Sequence, residues 1–359
     1  MFFRTLSLGA VVAGLLVLPL ACSSFSGTSD PGGDGGGSPD EGGSGTDGGP
    51  SMEASSSDGP TATEGSVKDT VMVLASGYSQ LRAIAANETD VVFIDQGGAG
   101  VLTVPILGGS VVTLSPGGGP SSVAVANSRV FWTDVNDGTV ASIAINGVGG
   151  VMRTASSGTG ADKLASVIAA SPTTVFAMSA NNGLATDEIR QYDLSLAPIA
   201  NSTLSNLQNP FAIASYGSEF YWTEGGPANT VGSATAGSAT RGPSISPEQD
   251  AEQVAADAAG VYWTVPSMGK VRGSIGGATP ITLVANEGEL RALAADGTYV
   301  YWQTPGNELR RAGHVNNGTS SLFASGFVAV TEPKVRGIAV TSEYVVWLTG
   351  DGKVLRLHK

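Results

Sequence analysis

From Leu81 onward the apolar residues fall into short runs broken by turns, and the runs recur in a fixed frame. Each unit opens on an apolar residue followed by alanine, passes a turn, and continues into β-branched or aromatic residues. The opening positions are Ile84, Val123, Ile168, Ile213, Val254, Leu293 and Ile338. Nine residues after each stand Phe93, Trp132, Ala177, Trp222, Trp263, Trp302 and Trp347, and these five tryptophans are all that the chain contains. Successive openings are 39, 45, 45, 41, 39 and 45 residues apart. A period of about 40–45 residues belongs to propeller blades or to helical solenoids.

Strand chemistry decides between them. Each unit reads as an apolar strand such as Ala83-Ile84-Ala85-Ala86, a turn, and a β-branched or aromatic strand such as Val130-Phe131-Trp132-Thr133. Glycine-containing turns follow, Asp137-Gly138, Asn182-Gly183 and Asp351-Gly352, the pairs that tight hairpins favour. Third strands come next (101–104, 140–145, 354–357), then Gly108-Gly109, Asn146-Gly147, Gly276-Gly277 or Asn317-Gly318, then fourth strands (111–114, 281–284, 320–323). No unit carries ten residues of helical periodicity without a turn residue, so a solenoid fails. Four short antiparallel strands per unit predict an all-β fold, a single β-propeller of seven four-stranded blades over residues 67–359. The seventh unit stops without a fourth strand, and residues 69–76 resemble one, so the chain's two ends are expected to complete the last blade together. Closure of that kind removes exposed edges. The third unit is weak, with Ala177 in the tryptophan position; were it a loop insertion, the count would fall to six.

The tetrads Phe131-Trp132-Thr133-Asp134 and Tyr221-Trp222-Thr223-Glu224, with Tyr262-Trp263-Thr264 and Tyr301-Trp302, resemble the YWTD repeats of extracellular β-propellers. The resemblance covers roughly residues 80–359, and the layout is similar to that of propeller lipoproteins of Gram-negative bacteria. It implies an architectural motif. Phe93, Trp132, Trp222, Trp263, Trp302 and Trp347 would form the repeat core, and Asp95, Asp134 and Glu224 would make hydrogen bonds between blades. Two departures stand out: YWTD receptors have six blades, and the acidic position survives here only at Asp134 and Glu224, with Asp95 in the degenerate first unit.

The N-terminal region has a different character. Residues 1–21 carry one basic residue, Arg4, then the apolar run 6–18, then small residues before Cys22. That is the plan of an export signal; the run is short of the ~20 residues a membrane-spanning helix needs. Cys22, the chain's one cysteine, resembles the lipid-bearing residue of a bacterial lipoprotein, although Pro19 stands where that signal prefers leucine. The alternative is an ordinary signal peptide with an incidental cysteine. Residues 23–66 hold 13 glycines, 11 serines and eight acids with no lysine or arginine, a composition too poor in apolar surface to fold. The domain reading is therefore a signal at 1–21, a lipidated Cys22 with a Gly/Ser/Asp tether to 66, and the ring at 67–359. Ser23, rather than aspartate, follows the cysteine, and under the sorting rule of enteric bacteria this directs the protein to the outer membrane; a periplasmic or secreted protein is the alternative.

Composition narrows the chemistry. The chain of 359 residues has 51 glycines, one cysteine, two histidines and a net charge of −13. One cysteine excludes an internal disulfide framework, and Cys/His zinc modules lack ligands. Nucleic acid is not an expected partner of so acidic a chain. Eight acids lie in the tether, leaving the ring 23 acids against 17 basic residues, an ordinary surface. His314 falls on the third strand of unit six and His358 beside the C-terminus, neither in a triad-like spacing. Glycine runs lack the Lys-Ser/Thr of a phosphate loop. Asp187, Glu188, Asp250 and Glu252 read as solvated loop residues, some able to edge a channel mouth. Inner strands are rich in Ala, Val and Ile, with Asn87, Asn127, Asp257 and Asp296 as candidate polar residues of the channel. No cofactor and no metal are expected. The reading is a monomeric, lipid-anchored propeller that attaches to the membrane through Cys22 and binds a protein, peptide or glycan. The alternative is a propeller enzyme of the lactonase, lyase or quinoprotein type with its site in the central channel.

Overall fold

The computed structural model describes residues 70–154, 167–179, 187–226, 228–330 and 337–359. The signal, Cys22 and the tether lie outside these residues. Among those described, the strands form seven antiparallel sheets of four, and a single 3₁₀ turn, Pro266–Met268, interrupts the β-structure. The fold is an all-β propeller of seven blades.

The nine-residue spacing is a cross-strand pairing. Ile84 stands opposite Phe93, Val123 opposite Trp132, Ile168 opposite Ala177 and Ile213 opposite Trp222. Val254 faces Trp263, Leu293 faces Trp302 and Ile338 faces Trp347. The alanine that follows each opening residue pairs in turn with the residue before the tryptophan position, as Ala124 does with Phe131, Ala214 with Tyr221, Ala255 with Tyr262 and Ala294 with Tyr301. Neighbouring residues on a strand point to opposite faces of the sheet. One therefore packs on the preceding blade and the next on the following blade. Trp132 lies among Val92, Ile94 and Val101 of blade 1, whereas Phe131 lies with Val175 and Ala177 of blade 3.

The core is accordingly seven clusters, one per blade interface. Each inner strand packs on the next around the ring, and the seventh, Ile338–Val340, returns to the first, Leu81–Ala86. Blades converge toward the axis, so inner strands have room for alanine while the second strands carry the bulk. All five tryptophans are fully buried. At roughly 25 cal/mol per Å² of apolar surface, each indole contributes several kcal/mol of burial to its interface.

Blade 7 closes as expected: Ile338–Val340, Tyr344–Leu348 and Val354–His358 are joined by Met72–Ala75 as the outermost strand. Blade 3 is a true blade. Ala177 leaves a gap in the tryptophan position, and Tyr192 and Leu196 fill that interface in its place. Two loop assignments are corrected, since Asp187 and Glu188 belong to the third strand of blade 3, Asp187–Asp193, and Asp187 is buried.

Candidate functional site

The upper face, where the chain passes from one blade to the next, holds the three acids that follow the tryptophan position. Asp95 accepts from the backbone N–H of Gln80 at 2.9 Å, and Asp134 from those of Gly119 and Asn136 at 3.1 Å each. Both residues fasten the linker that leads into their own blade. Glu224 is fully buried and binds side chains instead: the Trp222 indole at 2.9 Å and Arg241 at 2.9 Å. Arg241 also donates to the Asn206 carbonyl of blade 3 at 2.8 Å, which carries the contact across an interface. The preceding position, Thr or Gln, supplies further bonds between blades. Thr223 donates to the Glu252 carbonyl at 2.6 Å, and Gln303 to that of Leu348 at 2.9 Å.

On the lower face, each inner strand turns back into the second. Asn87, Asp257 and Asp296 sit at this bend, but their side chains are turned into it. Asn87 Oδ1 accepts from the N–H groups of Thr89 and Asp90 (2.9 and 2.7 Å), Asp257 Oδ1 from Ala259 and Gly260 (2.7 and 3.0 Å), and Asp296 Oδ1 from Thr298 and Tyr299 (2.9 and 2.8 Å). Ser171 and Thr341 cap the equivalent bends. Asn127 lies one step further on, in a two-residue hairpin with positive φ, and donates to the Pro172 carbonyl of blade 3 at 2.7 Å. These residues shape turns because an Asx side chain mimics a backbone carbonyl there.

Two of the caps have a second task, absent from the reading of the sequence. The buried Tyr262 hydroxyl lies 3.1 Å from Asp257 Oδ1 and 3.1 Å from Nδ1 of His314, which blade 6 supplies. The two rings stack with centroids 4.7 Å apart. One interface on, Tyr301 donates to Asp296 Oδ2 at 3.1 Å, and Lys359 of blade 7 donates to the same oxygen at 2.6 Å. His314 and Lys359 occupy the same place, one residue past the end of the third strand. Tyr, Asp and a cationic or imidazole side chain from the next blade thus form a clamp at interfaces 5/6 and 6/7. Burial, reinforced by the neighbouring carboxylate, pushes both phenols well above the usual tyrosine range. Burial alone would raise Asp296, but the Lys359 ammonium and the backbone N–H groups of Tyr299 and Thr298 outweigh it and hold its carboxyl below the usual range. The signal was present in sequence: an aspartate five residues before the tyrosine occurs in units five and six, at Asp257/Tyr262 and Asp296/Tyr301.

Interface 4/5 lacks the clamp. Tyr221 occupies the position of Tyr262 and Tyr301, but Tyr216 stands where the aspartate would be and Gly276 where His314 and Lys359 stand. A groove of about 510 Å³ opens there, lined by Glu219, Tyr221, Ser244, Ile245, Val261 and Pro280 among others. On the upper face of the same interface, a cavity of about 400 Å³ is lined by Asn209, Phe211, Asn229, Asp250, Glu252 and Ser267. Such volumes suit small ligands or single side chains, and carboxylates, amides and hydroxyls around one phenyl ring can orient a polar group by hydrogen bonding. Among the described residues, no group of three or more His, Cys, Asp or Glu could hold a metal ion.

No family model matches the chain, and no curated protein matches its sequence. Solved structures do match. A streptogramin B lyase superposes with a TM-score of 0.63 at 13% identity, covering 80% of this chain and 97% of the other. Virginiamycin B lyase from Staphylococcus aureus gives 0.61 at 11%, covering 81% and 98%. The WD40 β-propeller domain of Doa1 gives 0.61 at 9%, covering 80% and 97%. At such identities the likeness establishes the fold alone: the chain is a β-propeller, similar in architecture to lyase propellers and to a WD40 propeller.

Proposed function

We propose that this protein is a non-enzymatic binding propeller of the bacterial envelope, tethered through a lipid on Cys22 and presenting its ring to a protein, peptide or glycan. The observation that carries the reading is interface 4/5, where both faces open into cavities of mixed polar and apolar lining while the equivalent lower-face sites at interfaces 5/6 and 6/7 are filled by the chain's own side chains. The inner strands favour the same conclusion, because their polar residues are engaged in turns and clamps rather than free for acid–base work. The repeated Tyr-Trp-Thr units are read as YWTD-like architecture, in keeping with the buried tryptophans.

The test is affinity capture from an envelope extract with the full chain and with two cavity variants, Phe211→Ala above and Tyr221→Ala below. A partner retained by the native chain and lost by either variant is expected. Catalytic turnover of a captured small molecule would overturn the reading in favour of an enzyme. Labelling with radioactive palmitate tests the anchor: incorporation should vanish in Cys22→Ala, and a variant that stays in the membrane fraction refutes it.

A further inference from the structure

We propose that the lower groove of interface 4/5 receives a lysine side chain from an extended peptide segment of a partner protein. The inference rests on the binding role above and names the chemistry of one site.

It starts from the clamp built twice within the same ring. At interface 6/7 a tyrosine hydroxyl and a carboxylate converge, and the ammonium of Lys359 seats on the carboxylate at 2.6 Å. At interface 5/6 the same two groups meet His314. Interface 4/5 keeps the tyrosine, Tyr221, half-buried against Ile245 and the core of blade 5. Among the described residues its hydroxyl has no hydrogen-bond partner. The following blade contributes no side chain at the third position, because Gly276 and Gly277 form the turn there. A carboxylate is nevertheless present. Glu219, two residues before Tyr221, is held by Thr235 at 2.9 Å through Oε1 and lies close enough for its charge, after burial, to help raise the Tyr221 phenol. Glu219 is also the one charged residue lining the groove; besides Tyr221, the rest are serines, threonine, prolines, glycines and aliphatic residues.

The groove therefore offers half of a clamp: a phenol that is protonated at neutral pH, a carboxylate, no cation, and space for a side chain. An ammonium on a four-carbon stem fits this arrangement. Its methylenes can lie along Val261, Ile245 and Pro280, and its head can bond Glu219 and the Tyr221 oxygen. Thr279 lines the same groove, and its hydroxyl can meet the peptide backbone beside the lysine.

The test uses fluorescence polarisation with the purified chain and two labelled pentapeptides, Gly-Ser-Lys-Ser-Gly and the same peptide with norleucine for lysine. Removing a hydrogen bond to a charged group weakens an interaction by about tenfold or more, so the lysine peptide should bind at least that much more tightly. Glu219→Gln or Tyr221→Phe should bring the two peptides within about twofold, with an unchanged melting temperature, since both side chains reach an open groove. Tyr262→Phe should lower the melting temperature and leave peptide discrimination intact. Equal binding of the two peptides, or discrimination that survives the double variant E219Q/Y221F, overturns the assignment. In that event, envelope capture that persists through Phe211 would leave the broader binding role standing, so the two failures are separable.

Discussion

Gly232 lies directly opposite Trp222 in blade 4, and the prediction for Gly232→Ala can be worked from the contact. A Cβ added there would stand 2.4 Å from Cζ2 of the indole, 2.5 Å from Cε2 and 2.9 Å from Nε1. Ordinary contact begins near 3.4 Å, so the ring would have to retreat by the difference, 3.4 − 2.4 = 1.0 Å. It has nowhere to go. Trp222 is fully buried, Phe220 packs 5.7 Å from it, and its Nε1 is bonded to the buried Glu224, which Arg241 holds in turn. Overpacking of this kind costs about 1–3 kcal/mol, and strain on a hydrogen bond to a charged group adds roughly another 1 kcal/mol. The expected loss is therefore about 2–4 kcal/mol, read as a lowered urea midpoint with an unchanged slope. Gly313→Ala is the internal control, because no atom lies within 4 Å of its Cβ position and its φ is not in the left-handed region. That change should be neutral or stabilising by up to about 1 kcal/mol, through the unfolded chain. Trp222→Phe removes the atoms that collide, so the double variant should be less damaged than the sum of the singles. Equal midpoints for the two glycine variants would refute the idea that a bare third strand is what admits the indole.

Tyr262→Phe should cost about 1–3 kcal/mol, because Asp257 and His314 lose a buried partner, and a thermal melt will show it. For pH, a phenol whose folded pKa is raised gives stability that is complete below the unfolded value of 10.0 and declines as pH rises above it. Alkaline titration should therefore show late phenolate absorbance that appears together with loss of β-sheet ellipticity; early, non-cooperative ionisation of all eight tyrosines would contradict it. Asp296 has the opposite sign: its carboxyl is held below the ordinary 3.8, so its contribution is present above that pH and is lost as pH falls through the lower folded value. Asp296→Asn should flatten the fall in stability below about pH 4, and an unaltered acid limb would contradict the Lys359 clamp. Deleting residues 70–76 strips the outermost strand from blade 7 and exposes the edge of Val354–His358. Light scattering should then report association of the opened rings.

The repeat was legible because two independent requirements coincide on the same residues. A blade needs a bulky residue on its second strand and a small one on its first. Pairing then fixes the offset between opening residue and tryptophan at nine, whatever the loops do elsewhere. Loop lengths vary, yet the offset survives because the bend between the strands is a two- or three-residue turn in every blade. The ends were legible for a similar reason, since Met72–Ala75 has the strand character of the outermost strand that blade 7 lacks. The clamps were not. Asp257 and His314 are 57 positions apart, and Asp296 and Lys359 are 63 apart. Their contact arises only because consecutive blades place the first bend of one beside the third-strand end of the next. Asn87, Asp257 and Asp296 read as polar residues at strand ends, as indeed they are, but whether such a side chain faces a channel or its own turn depends on backbone geometry that the residue type does not encode. Asp187 shows the limit in reverse: an acid beside Gly183 looks like a loop residue, and the sheet buries it.

Seven interfaces made by one rule cannot differ in what the rule controls, so function in such a ring must lie in departures from it. Each interface has a tryptophan-position residue from one blade and an aromatic or aliphatic residue from its neighbour, and these contacts exclude water whether the blade is ornate or plain. Apart from Ala177 at interface 2/3, the departures described above lie at three neighbouring interfaces. Interfaces 5/6 and 6/7 add Tyr–Asp clamps beside the seam where Met72–Ala75 closes the circle, and there cohesion matters most, because the seam is held by strand pairing between distant parts of the chain rather than by a covalent turn. Interface 4/5 omits the aspartate, replaces the cation with Gly276-Gly277, and gains cavities on both faces. An interface that has lost a stabilising contact survives only if the remaining burial suffices. Trp263, fully buried with Val231, Val254 and Val265, meets that condition at interface 4/5. The seam side thus carries the extra contacts that hold the ring shut, and the proposed binding role falls to the neighbouring interface that lacks them.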